Sequence, residues 1–142
     1  MKSNTPVPEA VAGFAARLKE ALTMTSPVTD MTPHAVHDAL RAGEILLVDV
    51  REPAEFIAAR IHGAVNYPLS TFDPAVALKA VDPARVVLQC GSGKRSAMAA
   101  ARCQAAGIAV TRHLGGGIGA WQAAGLPVID INAATGSQRD PG

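Results

Sequence analysis

The chain has 142 residues and a mass of 14.6 kDa, which suits one globular domain with its own hydrophobic core. A net charge of +1 argues against a domain that binds nucleic acid mainly through phosphate contacts. Two cysteines are too few for a disulfide scaffold, and no apolar run approaches the length of a membrane span. We therefore expect a cytoplasmic protein with neither nucleic-acid nor membrane partners.

The first predicted element is an amphipathic helix over residues 8–24, inside an N-terminal extension of residues 1–27. Its apolar positions recur at helical spacing on one face. This face either packs on the domain behind it or docks a partner or a second copy of the chain. A second helix is predicted to begin after Thr32, which can cap it, with Pro33 at its first position and Gly43 just beyond its end.

Strands and helices then alternate along the chain. The predicted strands are 45–50, 64–67, 85–89 and 109–114, and the predicted helices are 53–59, 73–81, 94–106 and 118–124. This order predicts an α/β fold with a mostly parallel sheet and helices on both faces. Ligands bind such sheets beyond the carboxyl ends of the strands, where Cys90 falls. Residues 132–142 are polar and are expected to form a flexible C-terminal tail.

The segment that carries the chemistry follows the predicted strand 85–89. Cys90 ends the strand, and a glycine-rich loop then leads into a helix. This loop consists of Gly91, Ser92, Gly93, Lys94, Arg95 and Ser96. Successive backbone N–H groups, the helix N-terminus and two cationic side chains all stabilise a thiolate over a thiol. We therefore predict a lowered pKa for Cys90 and a nucleophilic role.

Two other interpretations of this segment are weaker. An inert, buried cysteine is common at a strand end, but it rarely precedes a loop of this composition. A phosphate-binding P-loop would need glycine and serine or threonine where Leu88 and Arg95 stand. A nucleotide site is therefore not expected.

Four segments, in series, resemble the signatures of the rhodanese family of sulfurtransferases. The loop from Cys90 to Arg95 resembles that family's active-site loop. The other three are Asp49–Phe56 (DVREPAEF), Ile61–Pro68 (IHGAVNYP) and Leu114–Pro127 (LGGGIGAWQAAGLP). Together they cover about residues 30–128.

The resemblance implies a rhodanese-like five-stranded parallel sheet with helices on both faces, in a single domain spanning residues 28–131. It also implies two-step sulfur transfer without a metal or an organic cofactor. Cys90 would take the outer sulfur of thiosulfate or a similar anionic donor, release sulfite and become a persulfide. Cyanide or a thiol would then accept that sulfur.

The family's pattern assigns roles to the surrounding residues. The backbone N–H groups of residues 91–96 would hold the anionic sulfur, and Lys94 and Arg95 would hold the donor's sulfonate. Apart from the resemblance, Asp49 and Arg51 follow a buried strand. We expect them to form a structural ion pair that anchors the strand end, or else to orient the catalytic loop.

Two alternative functions stay open. The persulfide could be passed to a partner protein, with helix 8–24 as the docking element. A phosphatase-like activity is weaker, because the related dual-specificity phosphatases have five residues between cysteine and arginine. Here four residues separate Cys90 from Arg95, and Ser96 stands at the phosphatase arginine position.

Some positions depart from the family's pattern. Gly91 stands where many relatives carry arginine or glutamine, which removes one donor-binding side chain. Arg60 and His62 stand where histidine and proline are common, which suggests an altered entrance or altered packing.

The remaining candidates are expected to be structural. Cys103 lies in a predicted helix and is expected to be a buried apolar residue rather than a resolving thiol. Trp121 is expected to fill the core. The four histidines (His34, His37, His62 and His113) are scattered, so neither a metal site nor a cysteine–histidine pair is expected.

Overall fold

A computed structural model describes residues 27–131 and 135–140. The predicted helix at residues 8–24 lies outside the described residues. Among the described helices, none is both long and apolar enough to cross a membrane.

A five-stranded, entirely parallel sheet forms the centre of the fold, as the sequence and the family resemblance predict. Its strands are β1 (Thr29–Met31), β2 (Leu46–Asp49), β4 (Val65–Asn66), β5 (Val86–Gln89) and β6 (Arg112–Leu114). Their spatial order is β1, β6, β5, β2 and β4. β5 is central, so the chain leaves the middle of the sheet directly into the loop that begins with Cys90.

Five α-helices accompany the sheet in the described part of the chain. They are α1 (Pro33–Arg41), α2 (Pro53–Ala58), α3 (Pro74–Ala77), α4 (Lys94–Ala105) and α5 (Gly117–Ala123). Thr32 caps α1 by accepting a hydrogen bond from the Ala35 amide, with Pro33 at the first position as predicted. Short 3₁₀ turns at Leu69–Thr71 and Pro83–Arg85 complete the connections.

Two buried clusters lie on opposite faces of the sheet because side chains alternate along each strand. Along β5, Val86 and Leu88 belong to the cluster beneath α4, while Val87 belongs to the cluster beneath α1 and α5. Trp121 is 1% exposed, sits in the second cluster and donates a hydrogen bond to the Pro127 carbonyl, in keeping with the predicted core role. Helices therefore cover both faces, as predicted.

One predicted helix is shorter than expected. The sequence pattern predicts helix over 73–81, whereas α3 ends at Ala77. Leu78 then leaves helical geometry, and both Leu78 and Val81 pack on the cluster beneath α4. Both side chains therefore reach the core from backbone beyond the end of α3.

A second, smaller sheet was not predicted. It is antiparallel and consists of β3 (Ala59–Arg60), β7 (Ile129–Ile131) and β8 (Gln138–Arg139). β8 falls within residues 132–142, which the sequence analysis expects to be a flexible tail. Arg139 makes a two-point ion pair with Asp130 of β7, at 2.7 and 2.8 Å, and this pair accompanies the strand pairing.

Candidate active site

The Cys90 sulfur lies at the bottom of the loop between β5 and α4. The Gly93 amide is 3.0 Å from Sγ, and the Ser96 hydroxyl oxygen is 3.5 Å from it. Gly93 has φ +107°, which a residue with a side chain rarely adopts, and this turn aims its N–H at the sulfur. Gly93 thus supplies one of the loop amides that the sequence analysis expects around the sulfur.

The pKa of the Cys90 thiol lies below its ordinary value. Burial raises this pKa, but hydrogen bonds from the Ser96 hydroxyl and from the Ser96, Gly93 and Ser92 amides outweigh it. Cys90 is only 1% exposed, so its sulfur sits beneath the loop.

Helix α5 holds the loop from the other side. The Ile118 amide donates to the Cys90 carbonyl at 2.8 Å, and the Gly119 amide donates to the Gly91 carbonyl at 3.1 Å. These two bonds fix the carbonyls of Cys90 and Gly91 against α5. Gly117 allows this contact, since a Cβ there would overlap the Cys90 carbonyl oxygen.

The guanidinium of Arg95, beside the loop, is paired with a carboxylate. Glu55 of α2 accepts two hydrogen bonds from it, at 2.6 Å from Nη1 and 3.0 Å from Nη2. The bond from Arg95 lowers the pKa of Glu55 to about 2, and the same bond raises the pKa of Arg95. A Cβ at Gly91 would lie 3.1 Å from Arg95 Nη2, so the glycine found here instead of the family's arginine or glutamine leaves room for the guanidinium.

Asp49 and Arg51 form a buried ion pair with each other. Asp49 is 0% exposed, Arg51 is 5% exposed, and Arg51 Nη2 lies 2.8 Å from Asp49 Oδ2 and 2.6 Å from the Ala59 carbonyl oxygen. Within the described residues, neither makes a hydrogen bond to the loop of residues 90–96. Their charges do reach the neighbouring pair, since Arg51 contributes to the low pKa of Glu55 and Asp49 to the high pKa of Arg95.

The structure also brings two residues to the site that the sequence analysis missed. His113 Nδ1 lies 2.7 Å from Ser96 Oγ, and Asp30 Oδ1 lies 2.6 Å from His113 Nε2. The sequence pattern places His113 among four scattered histidines and predicts no role for it. The signal that could have found it is its place at the carboxyl end of a predicted strand, beside the strand that ends at Cys90.

Cys103 lies elsewhere, fully buried in the cluster beneath α4. Burial raises the pKa of its thiol to about 11, so at neutral pH it stays protonated. This environment matches the expected apolar role and does not suit a resolving thiolate.

The two thiols are therefore expected to react differently with a small alkylating agent. Iodoacetamide should modify Cys90 at neutral pH with a midpoint below the free-thiol value, whereas Cys103 should remain unmodified until about pH 11. Peptide mass spectrometry after timed alkylation across pH separates the two sites. Equal rates at both cysteines would contradict the environments described above.

A cavity of about 620 Å³ lies away from this site, beside the cluster beneath α1 and α5. Leu40, Ile61, Trp121 and Val128 line it together with polar residues, but none of the loop residues 90–96 does. Its size alone does not make it the reactive centre, because its walls carry no nucleophilic thiol. Among residues 27–131 and 135–140, no group of three or more metal-ligating side chains occurs.

Comparison with known proteins identifies the family of this chain. The family model described as "Rhodanese-like domain" matches residues 32–124. The chain is 36% identical over 112 residues to the protein slr1261 of Synechocystis sp., covering 78% of this chain and 62% of that one. It is 36% identical over 87 residues to a protein of Allochromatium vinosum named "Sulfurtransferase", covering 61% of this chain and 79% of that one.

Longer proteins share the domain as one part. The match to the probable adenylyltransferase/sulfurtransferase MoeZ of Mycobacterium tuberculosis is 39% identical over 93 residues, covering 64% of this chain but 24% of MoeZ. The crystal structure of thiosulfate sulfurtransferase from Pseudomonas aeruginosa matches with a TM-score of 0.63 and 26% identity, over 72% of this chain and 20% of that one. The chain therefore spans less than two thirds of the slr1261 protein and about a quarter of MoeZ. With its family model, its parallel sheet and its cysteine loop all in agreement, the chain belongs to the rhodanese family.

Proposed function

We propose that this protein is a sulfurtransferase that moves sulfane sulfur from thiosulfate or a similar donor to a thiophilic acceptor. The observation that carries the proposal is the environment of the Cys90 thiol. The Gly93 amide and the Ser96 hydroxyl lie within hydrogen-bond distance of its sulfur, and its pKa is lowered. The family and the relatives named for sulfur transfer support the reaction class.

The chemistry proceeds in two balanced steps. The Cys90 thiolate attacks the outer sulfur of thiosulfate, the S–S bond of the donor breaks, and sulfite leaves with the bonding electrons. The product is an anionic persulfide on Cys90. In the second step, cyanide or a thiolate attacks the outer sulfur, and the Cys90 thiolate is regenerated.

The loop is suited to both anionic states. Its amides bear partial positive charge and lie at the N-terminus of α4, whose dipole also favours an anion. A persulfide extends one sulfur atom further toward the loop opening than the thiolate does. The amides therefore stabilise the sulfur that the acceptor must reach.

The two cations contribute differently in this proposal. Arg95 is fixed beside the loop by Glu55, so it presents only those N–H groups that the carboxylate leaves unused. Lys94, at the first position of α4, supplies a point charge for the sulfonate. Asp49 and Arg51 keep the end of β2 in place and act on the site only through their charges.

The decisive experiment compares wild type with Cys90→Ser in a thiosulfate:cyanide assay. We expect thiocyanate formation by wild type, and a mass increase of one sulfur atom on the Cys90 peptide after thiosulfate alone. We expect neither from Cys90→Ser, while Cys103→Ser retains both. Turnover that persists in Cys90→Ser would remove the basis of the proposal.

A protein thiol is the second candidate acceptor. The match to MoeZ supports it, because there the matched domain accounts for 24% of a protein named for both adenylyl and sulfur transfer. In this version the persulfide forms as above, but cyanide is a poor acceptor. Loading Cys90 with thiosulfate and then measuring sulfur loss to cyanide, to a small thiol and to a cysteine peptide distinguishes the acceptors.

Release of phosphate from para-nitrophenyl phosphate by the same sample would favour the phosphatase-like alternative instead.

A further inference from the structure

A continuous hydrogen-bonded chain leads from the Cys90 sulfur to the protein surface. It runs from Sγ to Ser96 Oγ at 3.5 Å, from Oγ to His113 Nδ1 at 2.7 Å, and from His113 Nε2 to Asp30 Oδ1 at 2.6 Å. The strands set this arrangement, because β1 and β6 pair in parallel with Asp30 opposite His113. Four side chains thus form one path: two from strands β1 and β6, one from helix α4, and Cys90, which follows β5.

The inner end of the path is buried, and its outer end is exposed to solvent. Ser96 is 0% exposed and His113 is 6% exposed, whereas the Asp30 side chain is 74% exposed. Both ring nitrogens of His113 have protein partners. Asp30 as a carboxylate can only accept, so Nε2 carries a hydrogen and Nδ1 is the nitrogen that gains or loses a proton.

We propose that His113 accepts the proton of the Cys90 thiol through the Ser96 hydroxyl. The thiol proton passes to Ser96 Oγ while the hydroxyl proton of Ser96 passes to His113 Nδ1. The S–H bond and the old O–H bond break, and new O–H and N–H bonds form. The products are a thiolate, an intact hydroxyl that now donates to that thiolate, and an imidazolium held by Asp30.

The charged groups around His113 favour this outcome. Asp30 of β1 lies against the ring and stabilises the imidazolium. On α4, Arg95 is already paired with Glu55, and Gly93 just before that helix presents backbone to the ring, since a Cβ there would lie 3.7 Å from His113 Cε1. Arg112 precedes His113 on β6, but its guanidinium bonds to the Ala84 carbonyl and contacts the Met31 sulfur.

Ser96 is suited to pass the proton because it has alternative partners. Its hydroxyl lies near the Gly93 carbonyl at 3.2 Å as well as near His113 and Cys90. The shortest of these contacts, to His113, is the one through which the proton moves. Neutral His113 accepts a hydrogen bond from the Ser96 hydroxyl. The imidazolium instead donates a hydrogen bond to Ser96 Oγ, so the hydroxyl hydrogen of Ser96 turns toward the Cys90 sulfur.

This inference rests on the proposed role of Cys90 as nucleophile and adds the group that removes its proton. It also replaces the sequence-based expectation that no cysteine–histidine pair exists. His113 and Cys90 are coupled through the intervening Ser96 hydroxyl rather than by direct contact.

The test measures the rate of Cys90 alkylation by iodoacetamide against pH, resolved by peptide mass spectrometry. His113→Asn keeps a polar group near the Nδ1 position for Ser96 but cannot take up the proton. We expect its alkylation midpoint to rise by about one pH unit, which slows the reaction at pH 7 by ~10-fold. Asp30→Asn should slow it by ~2- to 5-fold, because the exposed carboxylate is already screened by water. His34→Asn, on the exposed face of α1, should match wild type.

An alkylation midpoint in His113→Asn equal to that of wild type would overturn the proposal. Because His113→Asn can disturb folding, a second measurement uses unmodified His113. Imidazole NMR signals should show His113 losing its proton at lower pH in Cys90→Ala than in wild type, since the imidazolium then lacks a thiolate. Identical His113 titrations in the two proteins would also overturn it. Neither measurement needs a sulfur donor, so a failure of sulfur transfer would leave the proton-transfer result intact. A failure of the proton-transfer test would likewise leave the proposed sulfur transfer intact.

Discussion

Substituting Gly117 by alanine is expected to disable the active site and to destabilise the fold. An added Cβ would overlap the Cys90 carbonyl oxygen and would lie 2.5 Å from the Gly91 carbonyl carbon. Both obstacles are backbone atoms, so neither can rotate away. The residue also has φ +64°, where a side chain costs about 1–2 kcal/mol.

The effect reaches the sulfur through the hydrogen bonds between α5 and the loop. If α5 moves away, the Ile118–Cys90 and Gly119–Gly91 bonds are lost, and the loop amides lose their aim at Sγ. We expect the free energy of unfolding to fall by about 3 kcal/mol and sulfur transfer to fall by ~100-fold, as for a displacement of about 1 Å at a reacting group. Urea denaturation and the thiosulfate:cyanide assay measure the two effects.

Gly119→Ala is the matched control on the same helix. A Cβ there would lie 3.3 Å from the Gly91 carbonyl oxygen, and its backbone is helical. This contact needs a shift of only a few tenths of an ångström, and alanine favours the helix by up to ~1 kcal/mol. We expect Gly119→Ala to stay close to wild type in both assays. If Gly117→Ala also stays close to wild type in stability and in sulfur transfer, α5 does not support the loop.

The cysteine loop could be predicted because its parts are consecutive in sequence. A buried strand, a glycine-rich turn and a helix start follow one another from Val86 to Ser96, and local rules suffice to place Cys90 between the strand and the helix N-terminus. The helix caps and the parallel sheet follow from equally local patterns. These are the features in which sequence and structure agree.

The partners of the loop could not be predicted in the same way. Glu55 reaches Arg95 across 40 residues, and Asp30 reaches His113 across 83 residues. β1, which carries Asp30, has three residues, none of them buried, so it offers no periodic pattern. Charge alone suggested that Arg95 would be free for a donor, because the sequence does not show which carboxylate the fold brings beside it.

The smaller sheet escaped prediction for a related reason. β3 and β8 have two residues each, below the length at which alternation can be recognised. Pairing with β7 and the Asp130–Arg139 ion pair decide their conformation. Segments held by distant partners rather than by their own pattern are the ones that the sequence leaves open.

Arg51→Met is expected to have the largest effect on stability outside the catalytic loop. Asp49 is fully buried, and its carboxylate oxygens accept from Arg51 Nε at 3.1 and 3.2 Å, from Nη2 at 2.8 Å and from the Arg51 amide at 2.9 Å. Methionine fills similar space but leaves the carboxylate with the amide bond alone. Removing one member of a buried ion pair costs about 3–5 kcal/mol, because the remaining charge stays buried and uncompensated.

The double variant Asp49→Asn/Arg51→Met separates the loss of charge pairing from the loss of packing. Without the carboxylate no charge is left uncompensated, so we expect the double variant to recover half or more of the stability lost in Arg51→Met. Urea denaturation of both single variants and the double variant gives the coupling free energy between the two residues. A loss below about 1 kcal/mol in Arg51→Met would mean that the pair behaves as a solvated surface ion pair. A residue that only anchors the end of β2 changes the amount of folded protein and leaves the turnover of each folded molecule nearly unchanged. If sulfur transfer by the folded fraction of Arg51→Met collapses, Arg51 takes part in the reaction instead.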